Sequence, residues 1–271
     1  MSRNLEEIAW DITEALYVDR PAIGDDKKAN FFVAGSMATL SLLCADEIQD
    51  MFIDENGMFI GYGEKHILDK NCKMKLEKFR RKLHDVDVVS YDEVNYGNKI
   101  QAKTVPDKKE LFDGNIDLPI EYEQSPKKGI QTYLCKAIRG DREIIVSSPV
   151  DMISNKLVQC MTVLKLMDLA KNNLLYRKTS KSEEELIEKN KKTYIKKEID
   201  LKKKIRDLII LVNFATNIYS EEIIINRIHE FIKNANYSFI LLDSLKEYIE
   251  DEKTSLIINK VKEKEISNVA L

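Results

Sequence analysis

The sequence is poor in the residues that mark several common classes of protein. Among its 271 residues are only 9 glycines, 5 prolines and 1 tryptophan, which excludes collagen-like and low-complexity chains. Its 4 cysteines are widely scattered and form no C-x-x-C pair, so neither a disulfide framework nor a zinc site is predicted. No apolar run approaches the roughly 20 residues that a membrane span needs, and residues 1–7 lack the apolar stretch of a signal peptide. We therefore expect a cytoplasmic protein without a membrane segment.

Charged residues are abundant, but their signs nearly cancel. The 43 basic and 46 acidic residues give a net charge of −3, so any affinity for nucleic acid has to come from a local patch. Between residues 65 and 84, 8 basic and 2 acidic residues give a local charge of +6. A solvated helix face is the ordinary interpretation of such a run, and the alternative is an electrostatic guide for a nucleoside triphosphate or a tRNA-like acceptor. Residues 189–206 are also basic, but they include Glu198 and Asp200, and a solvated helix is predicted there.

Strand-like and helix-like segments alternate up to about residue 148. The apolar run at 30–34 predicts a short buried strand that ends at Gly35, and residues 37–51 predict a helix. Asn56-Gly57 stands between two apolar runs, which is a strong signal for a β-hairpin. Cys72, Leu76, Phe79 and Leu83 mark one face of a further helix, which leads directly into a strand at 84–89. Further strands are predicted at 115–121, 132–138 and 143–146.

Beyond residue 148 nearly the whole chain has helical periodicity. Ser148-Pro149 predicts the start of a long helix, with Asp151 near its positive end. The charged segment 178–206 is expected to contain a linker, and no proline follows Pro149. Further helices are predicted at 208–214, 223–232, 239–249 and 256–261. The pattern predicts an α/β (α+β) domain with a mixed sheet at 1–175, followed by an all-α helical bundle at 176–271.

Gly35-Ser36 follows the first predicted strand and opens the next helix. Because glycine has no side chain, such a turn lets the backbone approach a ligand closely. The free N–H groups at the start of a helix also attract an anion, typically a phosphate. An ordinary turn is the alternative interpretation.

Asp85 and Asp87 lie two positions apart in a predicted strand, so their carboxylates leave on the same face, roughly 6–7 Å apart along the chain. Like charges about 5 Å apart repel by roughly 3 kcal/mol at an effective dielectric constant near 20. The pair therefore favours a site where a cation neutralises it, and Mg²⁺ fits best because it prefers oxygen ligands and bridges phosphates. Mn²⁺ suits the same ligands. An exposed polar edge is the alternative.

Three further residues are candidates for the same site. Asp117, in a strand-like run, is a possible third acid, with Asp113 and Glu121 as competitors. Lys156 lies beside the apolar stripe of the helix that starts at Pro149, where a lysine either snorkels to solvent or reaches the oxygens of a triphosphate. Asp168 borders the opposite flank of that stripe and is its possible polar counterpart.

The order of these pieces resembles the nucleotidyltransferase superfamily, which shows Gly-Ser after the first strand, a D-x-D strand and often a third acid on a neighbouring strand. Residues 148–157, S-P-V-D-M-I-S-N-K-L, are similar to the S-P-x-D-L-I-x-x-K-L segment of bacterial abortive-infection toxin nucleotidyltransferases (the AbiEii type). The resemblance covers roughly residues 28–170. It implies that phosphate is bound by Gly35 and Ser36, the metal by Asp85 and Asp87, and the triphosphate by Lys156, with Asp168 as the late acid.

The sequence also departs from that family. Asp85 follows Ser36 by 49 positions, far more than is usual in the superfamily, so an insertion is expected at about 51–83. Asp168 follows Lys156 closely, and the arginine-rich stretch that usually precedes the late acid is missing there.

The resemblance implies a metal-dependent nucleotidyltransferase. Such an enzyme transfers a nucleoside monophosphate from a nucleoside triphosphate to a hydroxyl group on a tRNA, a protein or a small molecule. Toxin-like use with an antitoxin partner is implied as well. The alternative is a catalytically inactive module of the same fold that binds a nucleotide or a partner protein.

Overall fold

The computed structural model describes residues 5–19, 21–79, 86–90, 120–124, 131–180 and 182–269. Eight helices and seven strands lie in this part of the chain. The helices are α1 (Leu5–Asp19), α2 (Gly35–Cys44), α3 (Lys70–Glu77), α4 (Pro149–Lys171), α5 (Glu183–Ala215), α6 (Glu221–Asn234), α7 (Leu241–Lys246) and α8 (Glu252–Val269). The strands are β1 (Phe31–Val33), β2 (Glu47–Ile53), β3 (Phe59–Ile67), β4 (Val86–Ser90), β5 (Ile120–Gln124), β6 (Thr132–Arg139) and β7 (Arg142–Ser147).

The strands form one mixed sheet in the order β3-β2-β6-β7-β1-β4-β5. The pairs β1–β7 and β4–β5 are parallel, and the other neighbouring strands are antiparallel. Short strand β1 lies between β7 and β4, with Val33 in register with both Val146 and Val88. All three valines are buried, so the centre of the sheet is apolar. The chain is therefore mixed α/β, as the sequence predicts.

The central residues of helix α2 are buried on all sides, which suits a helix without charged side chains. Its residues from Met37 to Leu42 are inaccessible to solvent, and it packs against α1, α3 and the sheet. Within this packing the hydroxyl groups of Thr13 on α1 and Ser41 on α2 lie 3.3 Å apart and hydrogen-bond to each other. The burial holds the start of α2 in a fixed position at the end of β1.

The hairpin predicted at Asn56-Gly57 is confirmed, because β2 and β3 pair antiparallel on either side of it. Asp54 organises the turn, since its carboxylate accepts hydrogen bonds from the backbone N–H groups of Asn56 and Met58, each at 2.8 Å. These hydrogen bonds hold the pKa of Asp54 below its usual value.

The helix predicted at 37–51 is only half right. Helix α2 ends at Cys44, and the chain then enters β2 at Glu47. Residues Ile48, Met51 and Ile53 are buried in the sheet, where β2 pairs with both β3 and β6. Apolar residues at these positions fit either a helix or a strand, and pairing with the distant β6 selects the strand.

The helical part of the chain has fewer breaks than the sequence predicts. Helix α4 begins at Pro149, as expected, but 183–215 is one helix of 33 residues, so the expected linker within 178–206 ends at Ser182. The side chain of Ser182 accepts a hydrogen bond from the N–H of Glu185 at 3.2 Å and caps α5.

The chain divides into two compact units, Met1–Met152 and Ile153–Leu271. The first contains the sheet and α1 to α3, and the second consists of helices. The division falls inside α4, earlier than the predicted boundary at 175/176, and that boundary stays a prediction. None of the described helices is both long enough and apolar enough to cross a lipid bilayer.

Candidate functional site

Gly35 and Asp87 lie against each other at one end of β1. Strand β4 runs antiparallel to β1, and the N–H of Ala34 donates to the carbonyl oxygen of Asp87 at 2.9 Å. A Cβ atom placed on Gly35 would overlap Oδ2 of Asp87 and lie 2.9 Å from its Cγ. The carboxylate of Asp87 therefore occupies the space that a side chain at position 35 would need.

Gly35 also has a backbone angle that favours glycine. Its φ is +60°, in the left-handed region, at the point where the chain leaves β1 and enters α2. The residue that precedes α2, Ala34, has no side chain that could cap the helix, and Gly35, Ser36 and Asp87 are each partly exposed. The first turn of a helix carries N–H groups without helical partners and a partial positive charge. The structure thus places the carboxylate of Asp87 beside Gly35 at the start of α2, and the phosphate-binding and metal-binding roles of these residues stay predictions.

The other predicted acids are only partly covered by the structure. Asp85, Asp113 and Asp117 lie outside the described residues. Glu121 lies in β5, which pairs parallel with β4, and its Cα is in register with that of Asp87. Among the described residues, no group of three or more histidine, cysteine, aspartate or glutamate side chains is placed to hold a metal ion.

The Ser-Pro-x-Asp part of the segment 148–157 has a structural role in the first unit. The hydroxyl of Ser148 accepts a hydrogen bond from the N–H of Asp151 at 3.2 Å, which caps α4. The carboxylate of Asp151 accepts a hydrogen bond from the N–H of Tyr133 at the start of β6, at 3.0 Å. Ser148 and Asp151 are both buried, so this motif fixes the start of α4 on the sheet.

Lys156 and Asp168, the two late candidates, lie in different surroundings within the second unit. The ammonium group of Lys156 lies 3.4 Å from Oδ2 of Asp207 on α5, and both side chains are largely buried. Asp168 is exposed, and its carboxylate accepts a hydrogen bond from the side chain of Asn172 at 3.0 Å. The described partner of Lys156 is therefore Asp207.

Asp207 is the residue that the sequence analysis missed. A signal for it exists, because Asp207 directly follows the basic run from Lys202 to Arg206. The sequence analysis instead predicts a solvated helix for this run, because the basic segment 189–206 also includes Glu198 and Asp200. Helix α5 brings Asp207 and Lys156 together across 51 positions of sequence.

The basic segment at 65–84 is partly neutralised where the structure describes it. Lys65 lies 3.6 Å from Glu47, and Lys73 lies 3.5 Å from Asp46. Lys70 and Lys75 on α3 are exposed, and residues 80–84 lie outside the described part of the chain. The role of this segment as an electrostatic guide stays a prediction.

Comparison of the chain with models of known protein families, with curated proteins and with solved structures yields no match.

Proposed function

We propose that this protein is a metal-dependent nucleotidyltransferase, which transfers a nucleoside monophosphate from a nucleoside triphosphate to a hydroxyl acceptor. The observation that supports the proposal best is the contact between Gly35 and Asp87 at the start of α2. A glycine that leaves room for a carboxylate beside the start of a helix suits a site where phosphate and a divalent cation meet.

In this proposal the start of α2 binds the phosphates. The N–H groups of its first turn and the hydroxyl of Ser36 donate to phosphate oxygens. Gly35 keeps the backbone accessible, because any side chain there would displace the carboxylate of Asp87. Most of the rate enhancement would come from positioning and from neutralising charge.

Asp85 and Asp87 would hold the Mg²⁺ or Mn²⁺ ion together with a third acid. The register of β4 and β5 favours Glu121 over Asp117 for this third position, since the Cα of Glu121 lies opposite that of Asp87. When bound, the ion neutralises phosphate charge and lowers the pKa of the acceptor hydroxyl. That hydroxyl would form a bond to the α-phosphorus as the bond to pyrophosphate breaks, and its proton would pass to an acidic residue or to water.

Lys156 would contact the triphosphate, as the resemblance implies, with Asp207 in place of Asp168 as the late acid. Asp207 favours this assignment because it lies 3.4 Å from Lys156 and follows a basic run. The acceptor would be a tRNA, a protein or a small molecule, and toxin-like use would require an antitoxin partner.

Thermal unfolding with each nucleoside triphosphate, with and without Mg²⁺, tests the proposal. A ligand at 100 times its Kd adds about 2.7 kcal/mol to the free energy of unfolding. We expect a Mg²⁺-dependent rise in Tm for the wild type and its loss in Asp87→Asn. Asp141→Asn, at an exposed acid in the turn between β6 and β7, is the matched control and should keep the full rise.

A second experiment follows the reaction itself. The protein is incubated with nucleotide labelled at the α-phosphate and with separate RNA, protein and small-molecule fractions of a cell extract. We expect label in one of these fractions and an equal amount of released pyrophosphate. An absence of pyrophosphate release in every fraction would contradict the proposed transfer.

The second candidate function is a catalytically inactive nucleotide-binding or protein-interaction module. The ion pair between Lys156 and Asp207 favours it, because a lysine bound to a buried carboxylate is less available to a triphosphate. Nucleotide binding that requires neither Mg²⁺ nor Asp87 would support this module.

A further inference from the structure

Helix α5 carries the most basic segment of the chain. Residues 189–206 include nine lysines and arginines and two acids, a local charge of +7 in a protein whose net charge is −3. Both acids form ion pairs within the segment, since Glu198 lies 3.1 Å from Lys202 and Asp200 lies 3.7 Å from Lys204. Lys189 and Lys192 pair with Glu185 and Glu188, which lie just before the segment, so its charge is neutralised in part.

Four of these cations share one face of the helix. At 100° per residue, Lys192, Lys196, Lys203 and Arg206 fall within an arc of about 80° and extend over about 21 Å of the helix axis. We call these four residues the basic seam. Glu198 and Asp200 project outside this arc. All four residues are exposed, whereas Leu201 and Ile205 on the opposite side of α5 are buried.

The charge of the seam is only partly neutralised from within the chain. Lys192 forms an ion pair with Glu188 at 2.6 Å, one turn towards the N-terminus. Among the described residues, neither Lys196 nor Lys203 lies within ion-pair distance of a carboxylate. The seam is thus a row of exposed cations along one continuous helix.

The composition of the seam favours a nucleic acid over a protein as its partner. The core of a protein interface is poor in lysine and rich in aromatic and apolar residues. Ile199 is the one apolar side chain inside the arc and is 54% exposed, so a continuous apolar contact cannot form there. A phosphate backbone presents closely spaced negative charges, which a row of exposed cations neutralises with release of counterions.

We propose that the basic seam of α5 binds the phosphate backbone of a nucleic acid. The seam contributes charge without base-specific groups, so RNA and DNA duplexes share the chemistry that it recognises. Binding is expected to depend on salt and to vary little with sequence. The proposal concerns binding alone and is independent of the proposed transfer reaction.

Fluorescence anisotropy with labelled RNA and DNA duplexes of about 16 base pairs tests the seam over about 50–200 mM salt. We expect wild-type affinity to fall as salt rises. The paired variant Lys196→Gln with Lys203→Gln is expected to weaken binding about tenfold and to reduce the slope of log K against log salt by about 2. Because both residues are exposed, Tm should not change.

A second pair of lysines provides the matched control. Lys171→Gln with Lys233→Gln removes the same charge from exposed positions outside α5, and its affinity should equal that of the wild type. Equal losses for both pairs, or no binding of either duplex at low salt, would overturn the proposal. Competition by a polyglutamate peptide as strong as that by the duplexes would overturn it as well, in favour of an acidic protein partner.

The experiment also separates this proposal from the proposed enzyme activity. Binding is measured without nucleotide and without Mg²⁺, and Asp87→Asn should bind both duplexes like the wild type. Weaker duplex binding by the seam variant, together with retained Mg²⁺-dependent nucleotide binding, is the expected result. A nucleotide-binding failure alone leaves the result at the seam intact.

Discussion

Gly35 and Gly140 have the same backbone angle in different surroundings. Both have φ of +60°, but a Cβ at position 35 would overlap Asp87, whereas a Cβ at position 140 would have no atom within 4 Å. A side chain in the left-handed region costs roughly 1–2 kcal/mol. Gly140→Ala is therefore expected to lower the free energy of unfolding by about that amount, measured by urea denaturation, and Gly35→Ala by about 1–3 kcal/mol more because of the overlap.

A double-mutant cycle tests the cause of that difference. If Gly35→Ala is costly because of Asp87, then adding Asp87→Ala should recover part of the loss, giving a coupling energy of about 1 kcal/mol or more. Gly140→Ala should show no coupling to Asp87→Ala. Additive effects in both cycles would mean that the backbone angle alone explains the cost at position 35.

Asp151 connects two elements, the start of α4 and the start of β6. Its carboxylate is buried and accepts the hydrogen bond from the N–H of Tyr133. Asp151→Ala leaves that N–H without its partner, which is expected to cost about 1–3 kcal/mol in the free energy of unfolding. Asp151→Asn keeps an acceptor oxygen and should recover most of the stability. An alanine variant as stable as the wild type would contradict this role.

The ion pair between Lys156 and Asp207 joins α4 to α5, and a set of variants separates its structural role from its proposed nucleotide contact. Lys156→Met removes the cation 3.4 Å from a largely buried carboxylate. Such a change typically costs about 3–5 kcal/mol for a fully buried pair, and somewhat less is expected for this partly accessible one. Adding Asp207→Leu should restore most of the stability, because apolar residues of similar size replace buried pairs well.

The stability-restored double variant then reports on function. If Lys156 contacts the triphosphate, the double variant should fold like the wild type yet lose the Mg²⁺-dependent rise in Tm with nucleotide. Full nucleotide binding by the double variant would contradict the proposed contact and leave the pair a structural one.

Elements specified by neighbouring residues were predicted well from the sequence, and those specified by distant partners were not. The hairpin is set by Asp54, Asn56 and Gly57 within one turn, so its signal is local. Strand β2 is defined by pairing with β6 some 80 residues later, and its apolar pattern alone also fits a helix. Long helix α5 was divided in the prediction because charge density resembles a linker, although lysine and glutamate are strong helix formers.

The candidate site also contains residues with local sequence signals and residues that depend on distant partners. Gly35 and Asp87 were predictable because strand ends carry recognisable turn and carboxylate signals, and the sheet then brings them together. Asp207 was not predictable from the sequence, because its contact with Lys156 depends on how α4 and α5 pack within the second unit. Long-range contacts of this kind leave no periodic pattern in a single sequence.

At the scale of the whole molecule, charge is distributed unevenly. A protein of net charge −3 contains a segment of +7, so its average charge says little about its partners. The acids that balance the total lie elsewhere, for example on α1, where Asp11 and Glu14 hold Arg142. An uneven distribution permits a local affinity for polyanions in a protein that is acidic overall.

Buried cysteine and tyrosine side chains make the stability of the whole chain sensitive to alkaline pH. Burial raises the pKa of the Cys160 thiol to about 12 and raises the pKa of Cys135 and of Tyr17 as well. In the unfolded chain these groups titrate at their ordinary values, so at high pH the unfolded state loses protons that the folded state retains. The contribution of these groups to the free energy of unfolding is therefore expected to be constant below about pH 8 and to fall as pH rises towards 12.

Urea denaturation between about pH 7 and pH 11 measures the slope of the free energy of unfolding against pH. Each buried thiol or phenol contributes at most about 1.4 kcal/mol per pH unit to this slope. Cys160→Ala removes one of the groups, so its slope should be shallower than that of the wild type, although the cavity lowers its stability at every pH. Val163→Ala creates a cavity at a buried, non-ionisable position of α4 and should keep the wild-type slope. The difference between the two slopes separates the effect of thiol ionisation from the effect of the cavity. Equal slopes for both variants would show that Cys160 ionises as readily in the folded protein as in the unfolded chain.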